Sequence, residues 1–237
     1  MKVSIHQPQC WPWPRYIHKI ASCDIFVYLD TVQFSKNGFQ NRNRIKTPTG
    51  ASWLTVPVLQ RLGQEIHEVK ISDSAALQRQ SRTLALNYAR TVGFQRWAGD
   101  LQQLLESPTD SLCEFAISST EWMLEKLGVE TRRIVASEIV RSKSHGSQLI
   151  ASICEALHAT SYLTGNGALA YMEPLDFQKV GCDILIQQWT AFEYDQVFPE
   201  VGFVSNLSTI DLLLNCPDTA AQLINSHASW LRLGDSM

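Results

Sequence analysis

Strand-sized apolar runs alternate with helical segments at both ends of this chain, and that alternation constrains its fold more than any other feature. Residues 2–6 read as a strand ending in His6. The following stretch carries Pro8, Pro12 and Pro14 and cannot be helical, because each ring fixes φ and drives the preceding residue toward extended backbone. Residues 15–23 read as a short helix, and residues 25–29 as a second apolar strand running into Asp30. In the last third, residues 131–140, 161–165 and 182–189 are strand-like, separated by helical patterns over 147–159 and 168–180, with another helix opening at 209–215. Pro174 must start, break or kink the second of these helices. Such alternation predicts an α/β fold, a mainly parallel sheet flanked by helices. Ligands of such sheets bind beyond the carboxyl ends of the strands, where His6, Asp30 and Gly165 fall.

The middle is different. Residues 40–46 form a basic, amide-rich loop, residues 52–59 a β segment kept near an edge by Pro57, and residues 64–71 an alternating strand pattern. Helices are expected over about 74–92, with Leu77, Leu84 and Tyr88 on one face, then over 95–106 and 110–127. Residues 74–128 are therefore expected to form a helical insert or subdomain within one domain spanning 1–237.

With 45% apolar and 18% charged residues, the composition is that of an ordinary globular domain. A net charge of −3 gives no general attraction to duplex nucleic acid or an anionic membrane, so any anion site must be local. Six cysteines, with no CxxC and no metal-type spacing, suit reduced thiols and a cytoplasmic location. No apolar stretch is long enough to span a bilayer.

Against that background several residues carry chemistry. His6 and Gln7 follow the first strand directly: an acid–base or hydrogen-bonding pair, or a histidine bonded to a neighbouring carbonyl. Trp11 and Trp13, in the rigid turn, either stack on a ring or plug the edge of the core. Asp30 suits a base or a ribose contact, or a bond to the following turn, with Gln33 and Lys36 close behind. Arg42, Arg44 and Lys46, interleaved with Asn41 and Asn43, are the best candidates for gripping a phosphate or carboxylate. Ser208, Thr209 and Asp211 open a helix in an S-x-x-D pattern that suits either simple capping or anion binding. Gly165 belongs to a glycine-rich run (164–168) ahead of a helix. GxSxG, HExxH, GxxxxGK[ST] and GxGxxG are all missing, and His18, His67, His145, His158 and His227 read as structural or surface residues. No metal site is expected, and Cys10 beside the turn shows no sign of activation.

At His6-Gln7-Pro8, Pro12-Trp13 with Tyr16, the segment from Asp24 to Asp30, Gln33-Phe34 and the run from Gln40 to Lys46, the chain resembles the WbqC-like family of bacterial proteins. Trp53 to Pro57, Ser161 to Leu163 with Gly165, Tyr171, and Leu207-Ser208 with Asp211 to Leu213 extend the likeness over nearly the whole length. Cys10 stands where an aromatic is usual, and Arg15 where glycine is usual. The resemblance implies a role in O-antigen or related surface-polysaccharide biosynthesis. A fainter similarity is to HIGH-type nucleotidylyltransferases, which implies a HUP-like fold. There Trp13 and Tyr16 replace both imidazoles and Arg15 the glycine, so the likeness does not carry adenylylating chemistry.

These readings lead to a transferase acting on an activated nucleotide-, acyl- or aminoacyl-linked intermediate, a small anionic molecule. Mg²⁺ would accompany it if it is a nucleotide. His6 or Asp30 would move a proton. Gln7, Trp13, Tyr16, Gln33, Asn41, Arg42, Asn43, Arg44, Lys46, Gly165, Ser208, Thr209 and Asp211 would bind the substrate. The alternative is a non-catalytic module that binds a glycan or a partner of a biosynthetic complex through Trp11 and Trp13.

Overall fold

A computed structural model describes residues 1–73, 75–139 and 144–235. Its centre is a six-stranded sheet. Strand β1 (Lys2–His6) leads through helix α1 (Pro14–Ala21) to β2 (Ile25–Tyr28), which pairs with it in parallel. The chain then leaves the sheet through two hairpins, β3 (Arg42–Thr47) with β4 (Gly50–Thr55) and β5 (Val58–Leu59) with β6 (Lys70–Ile71). Helices α2 (Ala75–Tyr88), α3 (Val92–Glu106) and α4 (Leu112–Lys126) follow. It returns as β7 (Arg132–Val135) and then runs through helices α5 (Ala136–Ile139) and α6 (Gly146–Ala156), strand β8 (Ser161–Gly165), helix α7 (Pro174–Lys179) and strand β9 (Asp183–Trp189). Helices α8 (Thr209–Asn215) and α9 (Ala220–Ser226) precede the last strand, β10 (Ala228–Arg232).

Spatial order is β10-β9-β8-β1-β2-β7, parallel throughout except for β10. The chain thus builds outward from β1 on one side and returns to build outward on the other. The reversal lies between β1 and β8, the position where such sheets open a crevice.

Both faces are covered, which is why the inner strands read as continuous apolar runs. Val3, Ile5, Ile25, Val27, Tyr162 and Ile184 pack with α6 and α7 residues such as Ile150, Ile153 and Phe177. Phe26, Tyr28 and Leu163 belong to the other core, shared with Tyr16, Ile17 and Ile20 of α1 and with Leu77, Leu84, Leu101 and Phe115 of α2 to α4. The helical stretch is accordingly a layer continuous with the sheet's own core. His6, one step out of phase with Ile5, faces α1, and its ring meets Tyr16 edge-on at 4.9 Å.

Four expectations change. Residues 42–47 form a strand, because register pairing with β4 satisfies their backbone while Arg42 lies over Trp53 at 4.3 Å. Residues 64–71 form a 3-10 turn over Ile66–Glu68 and only a two-residue strand; Glu65 and Glu68 close a capping box that outcompetes the alternating pattern. The strand expected to reach residue 140 turns helical at Ala136, where Asp30 accepts from the Ser137 N–H at 3.0 Å; residue 140 lies outside the described residues. The helix expected over 168–180 is a 3-10 turn at Asn166–Ala170 and then α7, which Pro174 starts at its first position. Helix α9 and the antiparallel edge strand β10 have no counterpart in the sequence reading.

Candidate functional site

Two clefts meet at the carboxyl end of β1. The first, about 470 Å³, lies at the β1/β8 reversal. His6 and Gln7 come from β1, Arg15 and Lys19 from α1, Thr164 to Ala168 and Tyr171 from the end of β8, and Gln187 and Trp189 from β9. The second, about 710 Å³, is largely aromatic, with Phe39, Phe192, Tyr194 and Phe203 alongside Asn43, Arg44 and the segment leading to α8. Trp13, Arg15 and Trp189 line both, so the two are lobes of one groove.

Local chemistry explains how each side chain arrives there. Trp11 adopts a left-handed backbone (φ 50°), a conformation rare for aromatic residues, and is held there by Ser119, Gln80 and Asn43. That kink sends Trp11 into the core, as a plug, and turns Trp13 to the groove. Pro14 then starts α1. Arg15 and Lys19, one turn apart, share the face of α1 that looks back at the end of β1.

His6 is partly buried, and its Nδ1–H donates to the Gln7 carbonyl at 3.0 Å, which leaves Nε2 as an acceptor. Burial and the nearby charges of Lys19 and Arg15 push the imidazole down to about 3, so the ring is neutral at physiological pH. Lys19 is only 6% exposed yet lines the first cleft. Burial, reinforced by Arg15, pushes its ammonium down to about 7. Its Nζ lies 5.6 Å from the centroid of the Tyr16 ring. No carboxylate is among the described residues lining the first cleft, so none of them pairs with the basic groups there or repels a bound anion.

Of the residues singled out in the sequence, His6, Gln7, Trp13 and Gly165 line the first lobe, and Trp13, Asn43 and Arg44 the second. Gln7 is braced by Gln40, whose Nε2 donates to its Oε1 at 2.7 Å. Arg44 donates to the Asn206 carbonyl at 3.2 Å. The rest lie elsewhere. Tyr16 is fully buried beneath Gln7 and donates to its carbonyl. Asp30 is buried with both carboxylate oxygens on Ser137. Asn41 is buried against Val56, and Arg42 lies on Trp53 and donates to Asn37. Gln33 bridges Glu65 beside a separate surface depression. Lys46 is buried, donating to the Gly202 carbonyl at 2.7 Å. Cys10 is buried too, and burial pushes its thiol well above the usual range.

The start of α8 corrects the expectation of an anion-binding helix tip. Its first N–H groups are already engaged: Ser208 with the Arg44 carbonyl, Thr209 with Pro12, Ile210 with the Ser208 hydroxyl, and Asp211 with the Ser208 carbonyl. Asp211 is buried and accepts from Tyr88, from Tyr194 at 2.7 Å and from Gln196 at 3.2 Å. Its burial raises the carboxyl above its ordinary range. This end of the helix is a structural knot that pins β3 to the groove's rim.

Sequence reasoning passes over Arg15 as a site cation and over Lys19, Gln187 and Trp189 altogether. The i, i+4 spacing of Arg15 and Lys19 on the helix after the first strand is the signal that could have found the first two. Nothing local marks Gln187 and Trp189. Among the described residues there is no group of three or more His, Cys, Asp or Glu placed to hold a metal ion, and no helix long and apolar enough to cross a membrane.

The model of the WbqC-like protein family matches residues 7–223. An uncharacterized protein of Mycobacterium tuberculosis, Rv1507c, is 30% identical over 218 residues, covering 90% of this chain and 93% of the relative. No solved structure matches. The likeness to HIGH-type nucleotidylyltransferases finds no counterpart in these comparisons.

Proposed function

The chain belongs to the WbqC-like protein family, and from that premise we propose that it is a transferase. Its substrate would be an activated, anionic intermediate, nucleotide-, acyl- or aminoacyl-linked, of surface-glycan or related biosynthesis. The observation that carries this reading is the pair of basic side chains, Arg15 and Lys19, in one cleft with His6 and Gln7 at the sheet's reversal point, with no carboxylate among the described residues that line it. Arg15 stands where both lobes meet and takes the anionic group. Trp13 and Trp189 flank a flat ring or a sugar. The neutral His6 offers Nε2 to an acceptor hydroxyl, with Gln7 orienting it, and Arg44 bounds the far lobe. Tyr16, Asn41, Lys46, Ser208, Thr209 and Asp211 act through position, holding the turn and the rim. If the substrate is a nucleotide, Mg²⁺ arrives with it.

Calorimetry and thermal shift against nucleotides, nucleotide sugars and acyl or aminoacyl adenylate analogues test this reading. At least one class should bind, and Arg15→Ala should weaken it about tenfold or more. A panel without a binder, or an Arg15→Ala protein that binds as tightly as the parent, overturns it.

A second reading has its own observation. Phe39 and Trp53 are 40% and 44% exposed, with their rings 6.1 Å apart and Arg42 stacked on Trp53. Such a cluster suits docking to a glycan or a partner protein. On this reading His6→Ala leaves cellular function intact while Trp13→Ala or Trp53→Ala abolishes it.

A further inference from the structure

We propose that Lys19 and Arg15 form a phosphoryl subsite, and that Lys19 takes up a proton from solvent as the ligand's oxygens arrive. This rests on the reading of the groove as an anion-binding transferase site and adds to it the chemistry of the anion and a proton that travels with it.

Geometry comes first. Lys19 is more than nine-tenths buried, lines the cleft and has no hydrogen bond or ion pair among the described residues. A buried lysine without an anion is costly to keep charged, and the protein supplies no anion of its own. Arg15, one turn earlier, likewise has no hydrogen bond or ion pair from its guanidinium among the described residues and lies over the Trp13 ring at 5.4 Å. Two cations on separate arms suit a tetrahedral group with three or more oxygens, whereas a single guanidinium suffices for a carboxylate.

The groups facing Lys19 from every side support the proton step. Its own helix contributes Arg15 and Tyr16, the turn after it Cys23, and β1 contributes His6. The same cleft is lined by Tyr162 of β8, Tyr171 beyond the 3-10 turn that follows it, and the neutral Gln187 and Trp189 of β9. Burial raises Cys23 to about 12 and pushes Tyr16, Tyr162 and Tyr171 upward, while His6 is neutral. Among the described residues Arg15 is therefore the fixed charge that acts on Lys19 near neutral pH, and it disfavours a second. An arriving phosphoryl group reverses that balance. A lysine held near 7 by its surroundings is then drawn to its ammonium form, and up to one proton leaves the buffer for Nζ.

The test uses sulfate, a tetrahedral dianion whose own charge is constant between pH 5.5 and 9, with acetate as comparator. In protein labelled with ¹³C at lysine Cε, the Lys19 signal is assigned by its loss in Lys19→Arg. It should titrate near neutrality in the free protein and shift up by a unit or more with sulfate, but not with acetate. Calorimetry in buffers of different ionisation enthalpy should show proton uptake by the parent at pH 8, little at pH 5.5, and none in Lys19→Arg, which still binds. Sulfate affinity of the parent should fall by up to about tenfold per unit above pH 7. A Lys19 signal that titrates in the ordinary lysine range, or one that sulfate leaves unmoved or acetate moves equally, overturns the proposal. If nucleotide conjugates still bind the parent and not Arg15→Ala, the transferase reading outlives that result; if nothing binds, both fall.

Discussion

His6 owes its character to what surrounds it rather than to its own chemistry. Burial and two neighbouring cations favour the neutral ring, so the folded protein declines a proton that the unfolded chain accepts from its ordinary value of 6.5 downward. Stability linked to His6 is therefore complete above pH 6.5 and is lost as pH falls toward about 3. The loss is about 2 kcal/mol at pH 5. Urea melts across pH 5 to 7 should show that slope in the parent and not in His6→Gln, and the imidazole nitrogens should report a neutral ring throughout that range by NMR. Asp211 illustrates the opposite fate of a predicted site residue. Its carboxylate accepts from two tyrosines and a glutamine in the interior. Asp211→Ala leaves the buried Tyr194 hydroxyl without its acceptor and strips one each from Tyr88 and Gln196, which keep the Lys46 and Val204 carbonyls, and should cost about 3 kcal/mol in equilibrium unfolding. Both residues stood out in the sequence, one at a strand end and one in a helix-start motif. Polarity at such positions is legible there; whether the side chain meets a cleft or the interior is not.

Among the elements, the strand–turn–helix–strand unit at the amino terminus follows closely from its residues, because three prolines, a strand-length apolar run and a short amphipathic segment leave little choice. The basic segment was harder. Arg42 to Lys46 reads as a loop by composition, and becomes a strand because β4 supplies hydrogen-bond partners and an aromatic ring. The union of α3 with α8 is invisible locally. Gly93 sits so close to α8 that a Cβ there would lie 2.7 Å from the Leu214 Cα and 2.8 Å from its carbonyl oxygen, and nearer still to the Leu213 carbonyl. Backbone atoms cannot swing aside as a side chain can. Gly93→Ala should therefore destabilise the protein by about 3 kcal/mol or more. A melting temperature within a degree or two of the parent's would show that the two helices slide apart freely.

Across the whole molecule the helices over residues 75–126 share one apolar core with Phe26, Tyr28 and Leu163 of the sheet. That continuity predicts a single unfolding transition. Tryptophan fluorescence, to which Trp97 and Trp122 contribute from the helical side and Trp189 and Trp230 from the sheet, should melt together with far-ultraviolet circular dichroism. Two separated transitions would identify an independently folding insert. Residue order alone determined the α/β class, the parallel character of the sheet and the placing of His6 and Gly165 at strand ends, because hydrophobic period and proline geometry act over a few neighbours. Tertiary structure alone decided which cations reach the groove. Arg15 and Lys19 face His6 because α1 folds back over β1, and Trp189 joins them from a strand more than 160 residues away. Arg42 and Lys46, richer in promise as a string of letters, are drawn off to an indole face and a backbone carbonyl. Contacts between distant segments set burial, and burial sets which charges remain free to meet a ligand.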